Sequence, residues 1–330
     1  MSELRRDPIG GRWVIVDTDH PHKPDQYDYE RQVYMGGTCP FCYGNESMTP
    51  PEIEAIRDSH TQPNSSGWQV RVVANKFPAL QVEGDIERRG LGMYDMSNGV
   101  GAHEVLIETP YHQKDICDLL NHEVENFLNM YCRRAIDLAK DKRFKYIMVF
   151  KNFGAAAGAS LEHPHTQLIA LPMIPKSAAE EIKGAQNYFE YRERCIFCDI
   201  IRYEKEADRR VLLENEHFLV VAPYAPRFSF ELAVYPKKHN PAFENTTEAE
   251  LESLGVILSA TLAKIARALN HPDYNLIIHN TPCSNNVGDF YHWHIEFMPV
   301  LARVAGFEWG TGFYINPISP EESVQVLKAI

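Results

Sequence analysis

Apolar and polar positions along the chain fall into two successive sets built on one plan. In the first, the run at 68–73 and the segment HEVLIETPYH, ending at His112, are rich in β-branched and aromatic residues. Gly and Pro bound them, which predicts strands. Ile116, Leu119, Leu120, Val124, Phe127, Leu128, Tyr131, Ile136 and Leu138 then recur with the period of a helix that buries one face. YIMVFKN (146–152) and HPHTQLIALP (163–172) read as two further strands.

The second set repeats the order. FLVVAP and FELAVYPKKH, ending at His239, stand for the first strands. A helix is predicted from 247 to about 269, with Thr247 and Glu250 forming a capping box at its start. YNLIIHN (274–280) and HWHIEFMP (292–299) follow, and each set is preceded by a C-x-x-C. From His112 to His163 is 51 residues, and from His239 to His292 is 53. Four landmarks in one order predict duplication of an α+β unit, each copy an antiparallel sheet with a long helix. The expected units are residues 1–172, carrying the chemistry, and 195–330. The stretch 173–194, with Pro175, Lys176 and a polar helical run, connects them.

Composition narrows the class. With 44% hydrophobic and 24% charged residues, 19 Gly and 21 Pro in 330, the chain is neither disordered, collagen-like nor a coiled coil. No apolar stretch approaches membrane-spanning length and the N-terminal segment lacks a signal-peptide core, so the expectation is a cytoplasmic protein with no membrane partner. A net charge of −12 argues against a broad nucleic-acid-binding face but allows a small phosphate pocket.

Cys39/Cys42 and Cys195/Cys198 form the two C-x-x-C pairs; Cys117, Cys132 and Cys283 stand alone. A C-x-x-C turn supplies two corners of a tetrahedral metal site, and each half offers two histidines at matching positions. The predicted sets are Cys39, Cys42, His112 and His163, then Cys195, Cys198, His239 and His292. His103 reads as a strand-edge residue rather than a ligand. Four protein ligands make a closed, structural site, for which zinc is expected, with iron possible at the second. The competing reading is a redox dithiol, which calls for the pair at the start of a helix after a strand. Pro40 and the following GNESMTPPE argue against that at the first pair.

The segment KNFGAAAGASLEHPHTQ (151–167) gathers small residues ahead of two histidines. Such a loop lets a ligand approach the backbone, whose amides can cradle phosphate oxygens. On an extended strand His163, His165 and Gln167 share one face. One can serve the metal, the next can attack phosphorus, and the third can hydrogen-bond a phosphate oxygen. A metal site using both histidines, without covalent catalysis, is the main competitor.

With these residues in view, the chain resembles the galactose-1-phosphate uridylyltransferase family, the nucleotidyl-transferring branch of the histidine-triad superfamily. The resemblance runs through LRRDPIGGRWVIV (4–16), CPFCYGNESMTPPE (39–52), NKFPAL (75–80), ETPYH (108–112), KNFGAAAGAS (151–160), HPHTQ (163–167) and HWHIEFMP (292–299). It implies two pseudo-symmetric histidine-triad-like halves and a homodimer whose partner completes the pocket. It also implies double displacement, in which His165 takes a nucleoside monophosphate from a nucleotide sugar and passes it to a sugar 1-phosphate. Gln167 and Ser160 would hold the transferring phosphoryl group. Asn152 and Gly158 would belong to the phosphate loop, and Asn75 and Phe77 would lie at the nucleoside.

Some relatives carry a second metal on a glutamate and histidines, near Glu181 and His279. The Cys195 set is the preferred second site here. Glu181 then reads as a solvated helix residue, His279 as the counterpart of Lys151, and His294 as the disused counterpart of His165. Where the family carries an early arginine pair, this chain has His20-Pro21-His22-Lys23-Pro24. Its tail, AGFEWGTGFYINPISPEE (305–322), is closer to relatives acting as ADP-glucose phosphorylases, and Thr166 stands where glycine is usual. The expected activity is uridylyl transfer between UDP-glucose and galactose 1-phosphate. The alternatives are adenylyl transfer from ADP-glucose to phosphate by the same histidine, or a zinc-stabilised nucleotide-binding protein without turnover.

Overall fold

A computed structural model describes residues 2–27, 37–283 and 287–330. Its strands in the first half are β1 (Glu3–Arg6), β2 (Trp13–Val16), β3 (Glu52–Arg57), β4 (Trp68–Ala74), the small hairpin β5 (Arg89–Leu91) and β6 (Tyr94–Met96), and β7 (Ala102–Ile107). Helix α1 (Asn121–Leu138), β8 (Tyr146–Phe153) and β9 (His165–Leu171) complete it. Helices α2 (Lys176–Arg192) and α3 (Ile196–Ala207) lead into β10 (Val211–Glu214), β11 (Phe218–Val221) and β12 (Leu232–Pro236). Then come α4 (Glu248–Leu269), β13 (Tyr274–His279), β14 (His294–Pro299), α5 (Gly306–Thr311), β15 (Tyr314–Asn316) and α6 (Pro320–Lys328).

Among the described residues, ten strands form one antiparallel sheet in the order β10-β11-β12-β14-β13-β8-β9-β7-β4-β3. Outward from the β8–β13 seam, each half presents the same sequence of strands. The protein is therefore an α+β fold with the duplicated plan read from its sequence. Side chains of α1, α4 and sheet residues from both halves belong to one hydrophobic core. Gly255 on α4 faces Val124 on α1, where an added Cβ would lie 3.4 Å away, in ordinary contact.

Local chemistry explains the helix limits. Thr247 donates its backbone N–H to Glu250 Oε2 (2.8 Å), and its hydroxyl accepts from the Glu250 N–H, which is the expected capping box. α1 begins later than its apolar spacing suggested. Residues 116–118 form a 3₁₀ turn, and Leu120 is extended, with its N–H bound to Glu123 Oε2 at 2.8 Å. Ile116 and Leu119 are buried nonetheless, so burial without helix produced the longer pattern. Among the described residues no helix is long and apolar enough to cross a membrane. The tail lies against the N-terminal strands through a parallel β15–β2 pairing.

Candidate active site

Both cysteine pairs meet the histidines their spacing assigned. The ligand atoms of Cys39, Cys42, His112 and His163 lie within 4.8 Å of one another, as do those of Cys195, Cys198, His239 and His292. A tetrahedral zinc ion with ordinary Zn–S and Zn–N bonds sets S and N roughly 3.5 Å apart. Cys42 Sγ is 3.3 Å from His112 Nδ1 and 3.6 Å from His163 Nδ1, and Cys198 Sγ is 3.4 Å from His239 Nδ1 and 3.7 Å from His292 Nδ1.

All four rings turn Nδ1 to the sulfurs. His163, His239 and His292 direct Nε2 to the backbone oxygens of Thr109, Gly288 and Pro236, at 2.7, 2.6 and 2.8 Å. Nε2 must carry the proton to donate there, which leaves Nδ1 free to ligate and fixes the ring. The residues fit a metal at both positions. The second pair does sit at a helix start, Cys195 being the N-cap of α3, but it follows helix α2 rather than a strand.

His165 is the first residue of β9 and 6% exposed. Its Nδ1 is 2.8 Å from the carbonyl oxygen of His163. A carbonyl only accepts, so Nδ1 carries the proton and Nε2 presents a lone pair. Burial, reinforced by the Lys151 ammonium, holds the ring below the usual histidine pKa despite that hydrogen bond. Phe41, inside the first cysteine pair, packs edge-on against His165 with ring centroids 5.4 Å apart. The Cys39–Cys42 turn thus also braces the ring.

The small-residue loop between β8 and β9 is held from the other half. Gly154 has φ +85°, and a Cβ on it would fall 1.9 Å from Asp273 Oδ1. Only glycine fits there. Asp273 Oδ2 accepts the Ala156 N–H (2.7 Å), and Asn275 Nδ2 donates to Asn152 Oδ1 (2.8 Å) and to the Ala157 oxygen (2.9 Å). Asn152, at the end of β8, and the loop that carries Gly158 and the exposed Ser160 are accordingly pinned together. A cavity of about 540 Å³ opens beside Ala155 and Ala156, walled by Phe228, Asn275 and residues 298–300 and 302–304.

On β9 and its neighbours, Gln167 Oε1 lies 2.8 Å from His103 Nε2, and Asn75 Nδ2 lies 3.0 Å from the same nitrogen. His103, near the start of β7 and outside the Cys/His set, therefore touches two of the residues singled out by the sequence. Phe77 is 83% exposed, an aromatic face held out next to Asn75 by an Asn75 Oδ1–Phe77 N–H bond of 2.9 Å. Behind His165 runs a buried polar chain that the sequence reading missed. Lys151 Nζ pairs with Glu108 Oε2 at 2.6 Å, while the Thr166 hydroxyl donates to Glu108 Oε1 at 2.6 Å and lies 2.7 Å from the Tyr131 hydroxyl. A charged residue inside the otherwise apolar strand YIMVFKN was the available signal.

The second half reproduces the frame and changes the contents. Phe197 packs on His294 (5.2 Å) as Phe41 does on His165. Two expectations need correction. His279 pairs with His294 across β13–β14, whereas continuing the Phe150–Gln167 register places Asn152, not Lys151, across from His165. His279 is thus the counterpart of Asn152, because the tyrosines that open the two strands differ by one step in register.

Glu181 is not a solvated helix residue. It accepts from the Tyr291 hydroxyl (2.6 Å) and faces His279 Nδ1 at 2.9 Å, while Glu296 faces His279 Nε2 at 3.0 Å and pairs with Arg227. Glu181, His279, Glu296 and Arg227 line a cavity of about 1050 Å³. Glu181, His279 and His294 offer three donor atoms that could hold a metal. Without one, burial works against charge on His279, but the two carboxylates overcome it and raise its pKa to about 10.

A folded-state pKa above the ordinary 6.5 gives stability that is complete below about 6.5 and lost as pH rises through about 10. The stability gap between the wild type and His279→Gln should therefore narrow across that window, by about 1.4 kcal/mol per pH unit at most. Urea unfolding at intervals from pH 6 to 10 measures it; a constant gap would refute a protonated His279.

A duplicated sheet with a His-Pro-His strand and mirrored Cys/His sets defines a histidine-triad-related protein. The model for the galactose-1-phosphate uridyl transferase N-terminal domain matches residues 2–175, and one for a domain of unknown function, DUF4921, matches 111–329. The chain belongs to the galactose-1-phosphate uridylyltransferase family, whose members are nucleotidyltransferases. It is 35% identical to the ADP-glucose phosphorylase of Arabidopsis thaliana, over 99% of this chain and 93% of that one. It is 28% identical to the galactose-1-phosphate uridylyltransferase of Thermotoga maritima, over 99% and 98%. The crystal structure of an Arabidopsis thaliana ADP-glucose phosphorylase with bound ADP-glucose superposes with a TM-score of 0.83 at 33% identity, covering 100% of this chain and 99% of that one.

Proposed function

We propose that this protein transfers a nucleoside monophosphate from a nucleotide sugar through a covalent intermediate on His165. The observation that carries the reading is the His165 Nδ1 bond to the His163 carbonyl, which puts the proton on Nδ1 and leaves an unprotonated Nε2 lone pair on a braced ring. Nε2 attacks the α-phosphorus, the bond to the bridging oxygen breaks, and sugar 1-phosphate leaves. The positive charge gained by the ring is stabilised by the same carbonyl through Nδ1–H. An acceptor phosphate oxygen then attacks phosphorus, the P–N bond breaks, and neutral His165 returns. Gln167 and Ser160 serve the phosphoryl oxygens, Asn152 and Gly158 belong to the phosphate loop, and Asn75 with Phe77 holds the nucleoside.

ADP-glucose with inorganic phosphate as acceptor is the pair the chain favours, yielding glucose 1-phosphate and ADP. Full-length similarity to an ADP-glucose phosphorylase supports this, as do the His20–Pro24 segment and the tail at 305–322. Transfer from UDP-glucose to galactose 1-phosphate is the second reading, supported by the matching family model and the Thermotoga relative. Exchange of labelled glucose 1-phosphate into each nucleotide sugar, with no phosphate present, tests both. Double displacement supports such exchange, and a sequential mechanism does not.

Zinc is proposed at both Cys/His sets in a structural role, anchoring His163 and hence the carbonyl that orients His165. Two equivalents per chain are expected from elemental analysis. Cys39→Ser and Cys195→Ser should each remove one and lower the melting temperature by roughly 10 °C, given the several kcal/mol such sites contribute. Full metal content in either variant would contradict the assignment.

A further inference from the structure

The contacts of His103 cannot all be satisfied at once, and the way they resolve assigns the residue a task. The Ala79 backbone N–H donates to Nδ1 at 3.2 Å, Gln167 Oε1 lies 2.8 Å from Nε2, and Asn75 Nδ2 lies 3.0 Å from Nε2. A neutral imidazole has one donor and one acceptor nitrogen. With the proton on Nδ1, only the Asn75 contact is good, and the Ala79 N–H meets another N–H. With the proton on Nε2, Nδ1 accepts from Ala79 and Nε2 donates to Gln167, so two contacts are good. The orientation of Asn75 is itself fixed, because its Oδ1 already accepts from the Phe77 N–H at 2.9 Å. Its amide nitrogen is then the group left facing a mismatched neighbour.

We infer that His103 is a positioning residue: as the Nε2–H tautomer it holds Gln167 Oε1, so that the Gln167 amide N–H groups face away from it as donors for the transferring phosphoryl group. The amide of Gln167 could otherwise flip and present its oxygen to a phosphate, which would repel it. The tautomer is set in turn by Ala79, which lies on the same short loop as Asn75 and Phe77. One ring therefore ties the loop proposed to hold the nucleoside to the side chain proposed to hold the phosphoryl group. Asn75 Nδ2, left without a good acceptor at His103, is free to donate to a ligand oxygen. The register supports the link: His103 pairs with Ile169 and Val105 with Gln167, so His103 and Gln167 are diagonal neighbours on one sheet face.

The inference rests on the proposed function for what Gln167 donates to, but the direction of the His103 bond does not. Nitrogen NMR of histidine-labelled protein should show His103 with its proton on Nε2; a proton on Nδ1 would overturn the proposal. Rate measurements on the His165 adduct then separate positioning from packing. His103→Gln keeps a donor near the Nε2 position and should hold the rate of adduct formation from ADP-glucose within about threefold, whereas His103→Asn keeps only the acceptor for Ala79 and should slow it by about tenfold to a hundredfold.

In a Gln167→Ala background the same His103→Asn change should slow the rate no further, since its target is gone. Equal slowing by Gln and Asn, or additive losses in the double variant, would overturn the inference. Unaltered metal content and melting temperature in the His103 variants exclude a folding defect as the cause. A wild-type protein that forms adduct from neither ADP-glucose nor UDP-glucose would defeat the functional reading instead, and the NMR result would still decide the direction of the bond.

Discussion

His165→Asn is expected to abolish measurable nucleotidyl transfer, with a loss of at least about four orders of magnitude in rate. Asparagine offers an amide nitrogen whose lone pair is delocalised into the carbonyl, so it cannot form the phosphorus–nitrogen bond. The substitution leaves the metal sets untouched, because His163, not His165, faces Cys39 and Cys42. Nucleotide-sugar affinity should consequently stay within about tenfold of the wild type, since one ring contact contributes little beyond a single hydrogen bond. Rapid-quench rates and titration calorimetry separate the two effects. A variant that still turns over at a tenth of the wild-type rate would show that His165 is not the nucleophile. An inactive wild type that binds nucleotide as tightly as His165→Asn would favour a binding protein.

The second large effect concerns stability. Lys151 and Glu108 have side chains 1% and 0% exposed, and each is the other's partner at 2.6 Å. Lys151→Met removes the ammonium and strands a buried carboxylate, at a cost of about 3–5 kcal/mol. The Thr166 and Tyr131 hydroxyls still donate to Glu108, which places the expected value at the lower end of that range. Replacing both charges, as in Lys151→Met with Glu108→Gln, should recover much of the loss because no uncompensated charge remains. Urea unfolding of the three proteins measures these differences. If Lys151→Met alone costs under about 1 kcal/mol, Glu108 has found another cation or is protonated, and the pair is not what holds the strand behind His165.

What was legible in the sequence had local causes. The two C-x-x-C turns, the H-x-H strands and the Thr247 cap each fix their geometry within a few residues, and the repetition of the first two, with strand runs and a long helix between them, exposed the duplication. What was not legible depends on partners far away in the chain. The small-residue loop after β8 is pinned by Asp273 and Asn275, more than a hundred residues from Ala156 and Asn152. Nothing in the composition of that loop points to them.

Glu181 shows the same limit from another side. A polar helix with one carboxylate turned inward has nearly the pattern of a solvated one, and only the arrival of His279 and Tyr291 reveals the difference. The one-residue offset between His279 and Lys151 arose because matching tyrosines suggested an alignment that the hydrogen-bond ladder does not follow. His103 was passed over because a histidine on a strand carries no signal of its own. Its meaning comes from Ala79, Gln167 and Asn75 converging on one ring.

The most direct test is intact-protein mass measurement after brief mixing with ADP-glucose and, separately, with UDP-glucose, under acid-free quench and with His165→Asn alongside. The expected result is a wild-type mass increase corresponding to one adenylyl group from ADP-glucose, discharged by added phosphate and missing in the variant. A uridylyl adduct instead would keep the chemistry and reassign the base. An adduct that persists in His165→Asn, or turnover of ADP-glucose with no adduct on any timescale sampled, would contradict covalent transfer through His165.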